Sequence, residues 1–140
     1  MAVLALMALL VLMTGCGKEE LAALDSVDVE TVQETVVLNE AAQITAELSY
    51  PVVSAATNDT KADQVVETLN AQFQQDAEAF VQQAKECDLS GLQAGEQFVY
   101  SAEVRYNTKG MLSVVQCENF AGVQYLQYAA TYNLGNGEKK

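Results

Sequence analysis

The sequence predicts an α+β domain: one long amphipathic helix packed on an antiparallel β-sheet, which is built from an N-terminal strand or hairpin and a meander of three C-terminal strands. Two observations carry this prediction. Apolar residues recur at spacings of three and four between Val65 and Ala84, the period of a helix with one buried face. Apolar and polar residues alternate from Ala42 to Tyr50 and again from Phe98 onward, the period of half-buried strands.

The chain begins with an apolar segment that ends at a cysteine. Residues 2–13 carry no charge, Gly15 is small, and Cys16 precedes a polar Gly-Lys-Glu-Glu sequence. A run of this length is typical of a secretory signal, because a membrane-spanning helix needs about 20 apolar residues. The Leu-Met-Thr-Gly-Cys sequence resembles the lipobox of bacterial lipoproteins. This resemblance implies a signal peptide over residues 1–15, a lipid on Cys16 and attachment outside the cytoplasmic membrane; the alternatives are an ordinary secretory signal and an uncleaved anchor.

Residues 16–31 form the expected tether of the domain, which we assign to residues 32–140. After Cys16 the tether is short, acidic and weakly apolar, the composition of a flexible spacer. In the domain, the segment up to Val53 predicts a strand or hairpin that ends near Pro51, because proline cannot donate to a β-ladder.

The helix follows a group of residues that favour a helix start. Asn58, Asp59 and Thr60 are candidates for the N-cap, and Asp63 suits the positive end of the helix dipole. The apolar period then continues to Ala84, which predicts a helix of about 26 residues, roughly 39 Å long. Its polar face is acidic rather than basic, so we expect the helix to lie on a sheet and not on a membrane surface.

Three strands with short connections follow the helix, and short connections join antiparallel neighbours. The first is expected to place five residues on one face, the second to run from Met111 to Phe120, and the third from Val123 to Leu134. Asn107–Gly110 is the expected first hairpin turn, with Gly110 at positive φ. The five residues expected on one face of the first strand are Phe98, Tyr100, Ala102, Val104 and Tyr106.

Composition narrows the classes of function. The formal net charge is −12, which disfavours nucleic acid and anionic lipid and favours a cationic partner, although such a charge can also serve solubility alone. The chain has no histidine, which excludes His-dependent triads and His-ligated metal sites. The acidic residues lie on polar faces or in the tether rather than in a paired or looped arrangement, so we expect no enzymatic activity, no cofactor and no bound metal.

Two further cysteines, Cys87 and Cys117, are available for a disulfide. In an exported protein they can pair, and closing a loop of about 30 residues would contribute roughly 3 kcal/mol. The sequence does not show whether their Cα atoms are close enough, so a disulfide and two buried free thiols both remain open.

Tyrosines are the candidate binding residues of the predicted sheet. Aromatic side chains stack on sugar rings or anchor a protein partner. The alternative is cross-strand packing, since alternate positions on paired strands bring aromatic rings together. The candidate surface consists of Tyr100, Tyr106, Tyr125, Tyr128 and Tyr132.

Four motifs together resemble a known extracytoplasmic domain. They are Tyr-Pro-Val-Val at Tyr50, Leu69-Asn70 within the helix, YSAEVRYNTKGMLSV from Tyr100 to Val114, and YAATYNLGNG from Tyr128 to Gly137. The domain they resemble occurs N-terminal to the catalytic part of certain peptidoglycan N-acetyl deacetylases and in the outer portion of lysozyme-sensing anti-sigma factors. The similarity covers about residues 35–140.

This resemblance implies a binding module of the bacterial cell envelope that recognises a cationic, lysozyme-like protein or a cell-wall component such as peptidoglycan. The alternative is an accessory domain that positions a larger envelope protein, such as a peptidoglycan deacetylase whose catalytic part is absent. Because the family usually continues into a second domain after the strand that ends at Gly137, we expect this domain to be truncated at its C-terminal end. The deacetylase chemistry belongs to a separate metal-binding domain, so no catalytic residue is carried over.

Overall fold

A computed structural model describes residues 24–57 and 59–140, and in this part of the chain the predicted α+β fold is confirmed. The five strands form one sheet in the order β1-β2-β3-β4-β5. The predicted signal peptide, the lipid on Cys16 and the first part of the tether lie outside the described residues. The elements are β1 (Asp28–Asn39), β2 (Ile44–Ser54), α1 (Thr60–Lys85), β3 (Gln97–Thr108), β4 (Met111–Phe120) and β5 (Gln124–Asn133), with a 3-10 turn at Leu89–Gly91.

The helix has the 26 residues that the sequence predicts. It begins after Asp59, whose side chain accepts a hydrogen bond from the backbone N–H of Lys61 at 3.0 Å and so caps the first turn. Asp63 in the first turn and Lys85 in the last turn complement the helix dipole. The buried face of α1 is Ala62, Val65, Leu69, Phe73, Ala77, Phe80 and Ala84.

The sheet is mixed, which corrects the expectation of a wholly antiparallel sheet. Of the strand or hairpin expected at the N-terminal end, the structure has the hairpin, formed by β1 and β2, and β3, β4 and β5 form the predicted antiparallel meander. The two parts meet in a parallel pair, Thr45–Ser49 of β2 with Gln97–Ser101 of β3. A parallel pair needs a long crossover connection, and α1 supplies it.

Folded structure begins inside the segment expected to be a tether. β1 starts at Asp28, and the preceding Leu24 and Val27 are buried. The side chain of Asn107 accepts a hydrogen bond from the N–H of Val27 at 3.0 Å and donates one to its carbonyl at 2.7 Å. These two bonds tie the start of β1 to the β3–β4 hairpin, so the boundary expected at residue 32 lies too late.

A second asparagine ties α1 to β2 in the same way. Asn70 accepts a hydrogen bond from the N–H of Val53 at 2.8 Å and donates one to its carbonyl at 3.0 Å. The parallel pairing of β2 with β3 ends at Ser49 and Ser101, so the backbone of Val53 has no strand partner on that side. Asn70 takes the place of that missing strand.

The core lies between α1 and one face of the sheet. Phe73 of the helix meets Tyr132 of β5 edge to face, with ring centroids 5.4 Å apart. Side chains on the opposite face of β4 are only half-buried, and we call this side of the sheet the open face. The sheet residues of the core include Ile44, Ala46, Leu48, Phe98, Tyr100, Ala102, Leu112, Val114, Ala130 and Tyr132.

A bulge in β3 changes which face Tyr106 occupies. Val104 pairs with Val114 and Tyr106 pairs with Ser113, which leaves Arg105 as an extra residue. Tyr106 therefore lies on the open face and is 40% exposed, whereas strict alternation placed it with the buried residues of β3. That expectation was wrong because a period of two does not reveal an inserted residue.

Candidate functional site

The five candidate tyrosines do not form one surface. Tyr100 and Tyr132 are 0% and 1% exposed beneath α1, so they pack in the core and do not reach a partner. Tyr106 and Tyr125 lie on the open face, whereas Tyr128 lies on the helix side of β5 and is 42% exposed. The bulge in β3 and the alternation along β5 separate them.

Tyr128 borders a polar cluster between α1 and the sheet. Its hydroxyl donates a hydrogen bond to Glu118 Oε2 at 2.9 Å. Next to it, Gln116 Nε2 donates to the hydroxyl of Tyr100 at 2.7 Å and to Asp76 Oδ2 of α1 at 3.1 Å. We call these five residues, Asp76, Tyr100, Gln116, Glu118 and Tyr128, the acid–tyrosine cluster.

The position of the cluster follows from the residues of β4 and β5. The helix-facing positions of β4 are apolar at Leu112 and Val114 and become polar at Gln116 and Glu118. Tyr128 lies directly across from Gln116. Along the same stretch, residues 124–129 of β5 are exposed, so the cluster lies where the cover of the helix ends.

Glu118 is a largely buried carboxylate without a cation beside it. Its residue is 9% exposed, and the single ion pair among residues 24–57 and 59–140 joins Arg105 to Glu103 at 2.9 Å elsewhere on the surface. Burying a charge without a counterion is costly, and among the described residues the hydrogen bond that its carboxylate accepts comes from Tyr128. Within this part of the chain, Glu118 is therefore an unpaired acidic group that a cation could approach.

The pKa values of three phenols in and next to the cluster are raised. Burial, the hydrogen bond to Glu118 and the charge of Glu118 raise the pKa of Tyr128 well above its ordinary value. Burial likewise raises the pKa of Tyr100, although its bond from Gln116 acts in the opposite direction. Burial and the charge of Asp76 raise the pKa of Tyr132 to about 12.

Two buried polar atoms next to the cluster have unused hydrogen-bonding capacity. Gln116 Oε1 and the hydroxyl of Tyr132 form no hydrogen bond with the described residues, and both side chains are at least 98% buried. A buried polar group without a partner costs about 1–3 kcal/mol. The cluster is therefore not optimised for stability alone.

Both remaining cysteines are free thiols. Cys87 is exposed just after the end of α1, where its Sγ donates to the carbonyl of Gln83 at 3.4 Å. Cys117 is half-buried at an open-face position of β4. The sheet lies between them, so the disulfide that the sequence left open is not formed.

The open face carries a groove, separate from the acid–tyrosine cluster. It has a volume of about 570 Å³ and lies where β2 and β3 diverge beyond Ser49 and Ser101. Its lining mixes apolar and polar side chains, including Val29, Thr31 and Glu103. Within the described residues, no three Cys, Asp or Glu side chains are placed to hold a metal ion, and no helix has the length and apolarity needed to span a membrane.

Distant structural neighbours of this chain occur among solved structures. No protein-family model and no curated protein matches the chain. A member of the DUF3298 family from Bacteroides fragilis is 12% identical, with a TM-score of 0.43 over 83% of this chain and 59% of its own. A DUF3298 family protein from Pseudomonas aeruginosa is 10% identical, with a TM-score of 0.46 over 83% of this chain and 56% of its own.

This chain therefore spans a little more than half the length of each neighbour. Both neighbours belong to a family of domains of unknown function. The links to deacetylases and anti-sigma factors stay predictions.

The acidic and amide members of the cluster were not predicted from the sequence. Gln116 and Glu118 give a local signal, because polar residues occupy the face of β4 that Leu112 and Val114 mark as buried. Asp76 gives none, since it lies among other polar residues of α1 and meets Gln116 across 40 residues of chain.

Proposed function

We propose that this chain is a binding module for a cationic protein, with the acid–tyrosine cluster as the contact. The observation that carries the proposal is the side chain of Glu118, a residue that is 9% exposed, forms no ion pair with the described residues and faces the exposed part of β5 through Tyr128. A lysine or arginine of the partner could form a charge-assisted hydrogen bond with Glu118 and contact the face of the Tyr128 ring. The proposal includes no catalysis by this chain.

Two features around the cluster support this contact. The net charge of −12 attracts a basic protein at long range and speeds its encounter. Leu126 and Tyr128, 41% and 42% exposed, lie on the same side of β5 and supply apolar anchors beside the charge. The resemblance to lysozyme-sensing domains makes a basic, lysozyme-like protein the specific form of the proposal.

A pair of double variants tests the contact. We expect Asp76→Asn with Glu118→Gln to weaken lysozyme binding about tenfold or more at low salt, because a close charge pair contributes at least about 1.4 kcal/mol. The matched control, Glu78→Gln with Glu86→Gln, removes the same charge from exposed positions on and just after α1 and should have a small effect. Equal losses in both would contradict a local site. Absence of lysozyme binding to the unmodified protein would remove this partner.

We also propose that the module is held outside the cytoplasmic membrane by a lipid on Cys16, which the lipobox resemblance supports. Metabolic labelling with a fatty-acid analogue should mark the protein, and Cys16→Ser should release it from the envelope fraction. An unmarked protein, or a Cys16→Ser variant that still sediments with the envelope, would contradict this anchoring.

The open face favours a second candidate function, an accessory domain that positions a larger envelope protein such as a peptidoglycan deacetylase. Val99 and Tyr106 are exposed there, beside the groove between β2 and β3, and such a face could pack against another domain. The genomic reading frame tests this candidate. Continuation past Lys140 into a second domain would support it, and a stop codon directly after Lys140 would contradict it.

A further inference from the structure

We propose that the partner contributes an extended strand, carrying lysine or arginine, that adds antiparallel to the free edge of β5. The inference rests on the proposed function for the charge of the partner. It adds the backbone geometry by which the partner is held.

The chain already places its own residues on this edge. β5 is the last strand of the sheet, and residues 138–140 turn back along its C-terminal end. Asn133 donates its N–H to the carbonyl of Glu138 at 2.8 Å, and Lys140 donates its N–H to the carbonyl of Thr131 at 2.7 Å. The rest of the edge, toward Gln124, pairs with no strand among the described residues.

The register of this short pairing identifies the backbone groups that remain free. In an antiparallel ladder, alternate residues direct both their N–H and their C=O to the same side. Asn133 and Thr131 form these bonds on the side of β5 that faces away from β4. Because β4 and β5 pair without a register shift, the backbone N–H and C=O groups of Ala129, Gln127 and Tyr125 face the same way. Their N–H and C=O groups continue the ladder that residues 138–140 begin.

The two edges of the sheet differ in how they are protected. Edge strands usually carry charged residues or proline, which discourage the addition of another strand. The outer strand β1 contains Asp28, Glu30 and Glu34. β5, with the sequence QYLQYAATYN, contains neither a charge nor a proline. The β5 edge therefore accepts a strand in a way that the β1 edge does not.

Exposed apolar side chains concentrate at the same edge. Val123, Tyr125, Leu126 and Tyr128 are 80%, 62%, 41% and 42% exposed and account for four of the nine large exposed hydrophobic side chains in the described residues. An added strand would cover part of each, on both faces of the sheet. Backbone pairing with side-chain contacts at alternate positions is the geometry of β-strand addition.

The negative charge of this chain indicates which kind of strand would bind at the β5 edge. Lys139 and Lys140, which the chain itself lays there, are two of its seven basic residues. A second copy of the chain would bring another net charge of −12 to the same edge, whereas a basic strand would meet Glu118 beside Tyr128. We therefore assign the edge to a cationic strand of another protein.

A proline substitution with a matched control tests this assignment. Gln127→Pro removes an outward N–H and places a ring in the path of the added strand, whereas Gln127→Ala keeps the N–H. The probe is a capped peptide of alternating lysine and valine. We expect Gln127→Pro to weaken binding about tenfold or more, Gln127→Ala to change it less than about threefold, and a peptide with glutamate in place of lysine not to bind.

Amide hydrogen exchange of the unmodified protein gives a readout that does not depend on a variant folding. The peptide should slow exchange at Tyr125, Gln127 and Ala129. Unchanged exchange at these amides, or a Gln127→Pro variant that binds the peptide as the unmodified protein does, would overturn the inference. A dimer that Gln127→Pro dissociates would assign the edge to a second copy instead.

Lysozyme binding separates this inference from the proposed function. If Asp76→Asn with Glu118→Gln loses lysozyme while Gln127→Pro retains both lysozyme and the peptide, the cationic site stands and strand addition fails. If the unmodified protein binds the peptide at β5 but does not bind lysozyme, the lysozyme-like partner is removed and the strand site stands.

Discussion

Replacing Asn70 by alanine should remove the hydrogen bonds that join β2 to α1 and destabilise the protein. The substitution removes both hydrogen bonds to the backbone of Val53, which are 2.8 and 3.0 Å long. Val53 is only 2% exposed, so water does not readily replace them. Each buried backbone group left without a partner costs about 1–3 kcal/mol, and the better helix propensity of alanine returns roughly 0.5 kcal/mol. We expect the free energy of unfolding to fall by about 2–5 kcal/mol.

Urea denaturation followed by circular dichroism measures this loss for Asn70→Ala. The matched control is Gln74→Ala on the same helix, because Gln74 is exposed and its one side-chain bond, to Glu78, is 3.4 Å long. We expect Gln74→Ala to change the unfolding free energy by less than about 0.5 kcal/mol. If Asn70→Ala costs no more than this control, the reasoning that its amide replaces a missing strand is refuted.

Three further predictions concern the packing of the C-terminal loop, the effect of pH and the thiols. Gly137 has a φ of 79°, and an added Cβ would lie 2.9 Å from a side chain of α1. Gly137→Ala should therefore lower the unfolding free energy by about 1–3 kcal/mol, whereas Gly91→Ala, with open space around it, should not; equal urea midpoints would contradict this. Tyr132 has a folded-state pKa of about 12 against an ordinary value of 10.0, so its contribution to stability is complete below pH 10 and is lost as pH rises through 12. Urea titrations across this range should show the decline, and a flat profile would argue against it. Cys87 should react with a thiol reagent in the folded protein faster than Cys117, and an oxidised pair in the mass spectrum would contradict the free thiols.

The helix and the C-terminal meander could be predicted because their signals are local. Asp59 caps the helix one residue before it starts, and the apolar period of α1 continues without interruption. The β3–β4 turn was visible from Gly110, which has a φ of 78°. Each of these features depends on residues within a few positions of one another, where propensity and periodicity act.

Features that depend on distant contacts could not be predicted in this way. The parallel pairing of β2 with β3 depends on the path of α1, and Asn107 meets Val27 across 80 residues of chain. In the sequence, Asn70 and Asn107 stand out only as parts of motifs. Their physical role, in which a side-chain amide completes the bonding of a backbone segment, appears only in three dimensions.

The candidate site could be predicted only in part from the sequence. Tyr128 was among the five tyrosines singled out, but periodicity could not separate it from Tyr100, which occupies the same face of the sheet and is buried. The difference arises because α1 covers β3 and leaves the first half of β5 uncovered. Exposure therefore depends on where the helix lies, which the alternation of a strand does not encode.

Chemical-shift mapping by NMR during a titration with lysozyme tests the central claim most directly. We predict that the largest shifts, at low salt, fall on Glu118, Leu126 and Tyr128, and that they vanish at high salt. Shifts confined to the open face around Ser101, or no shifts at all, would contradict the assignment of the acid–tyrosine cluster as the binding site.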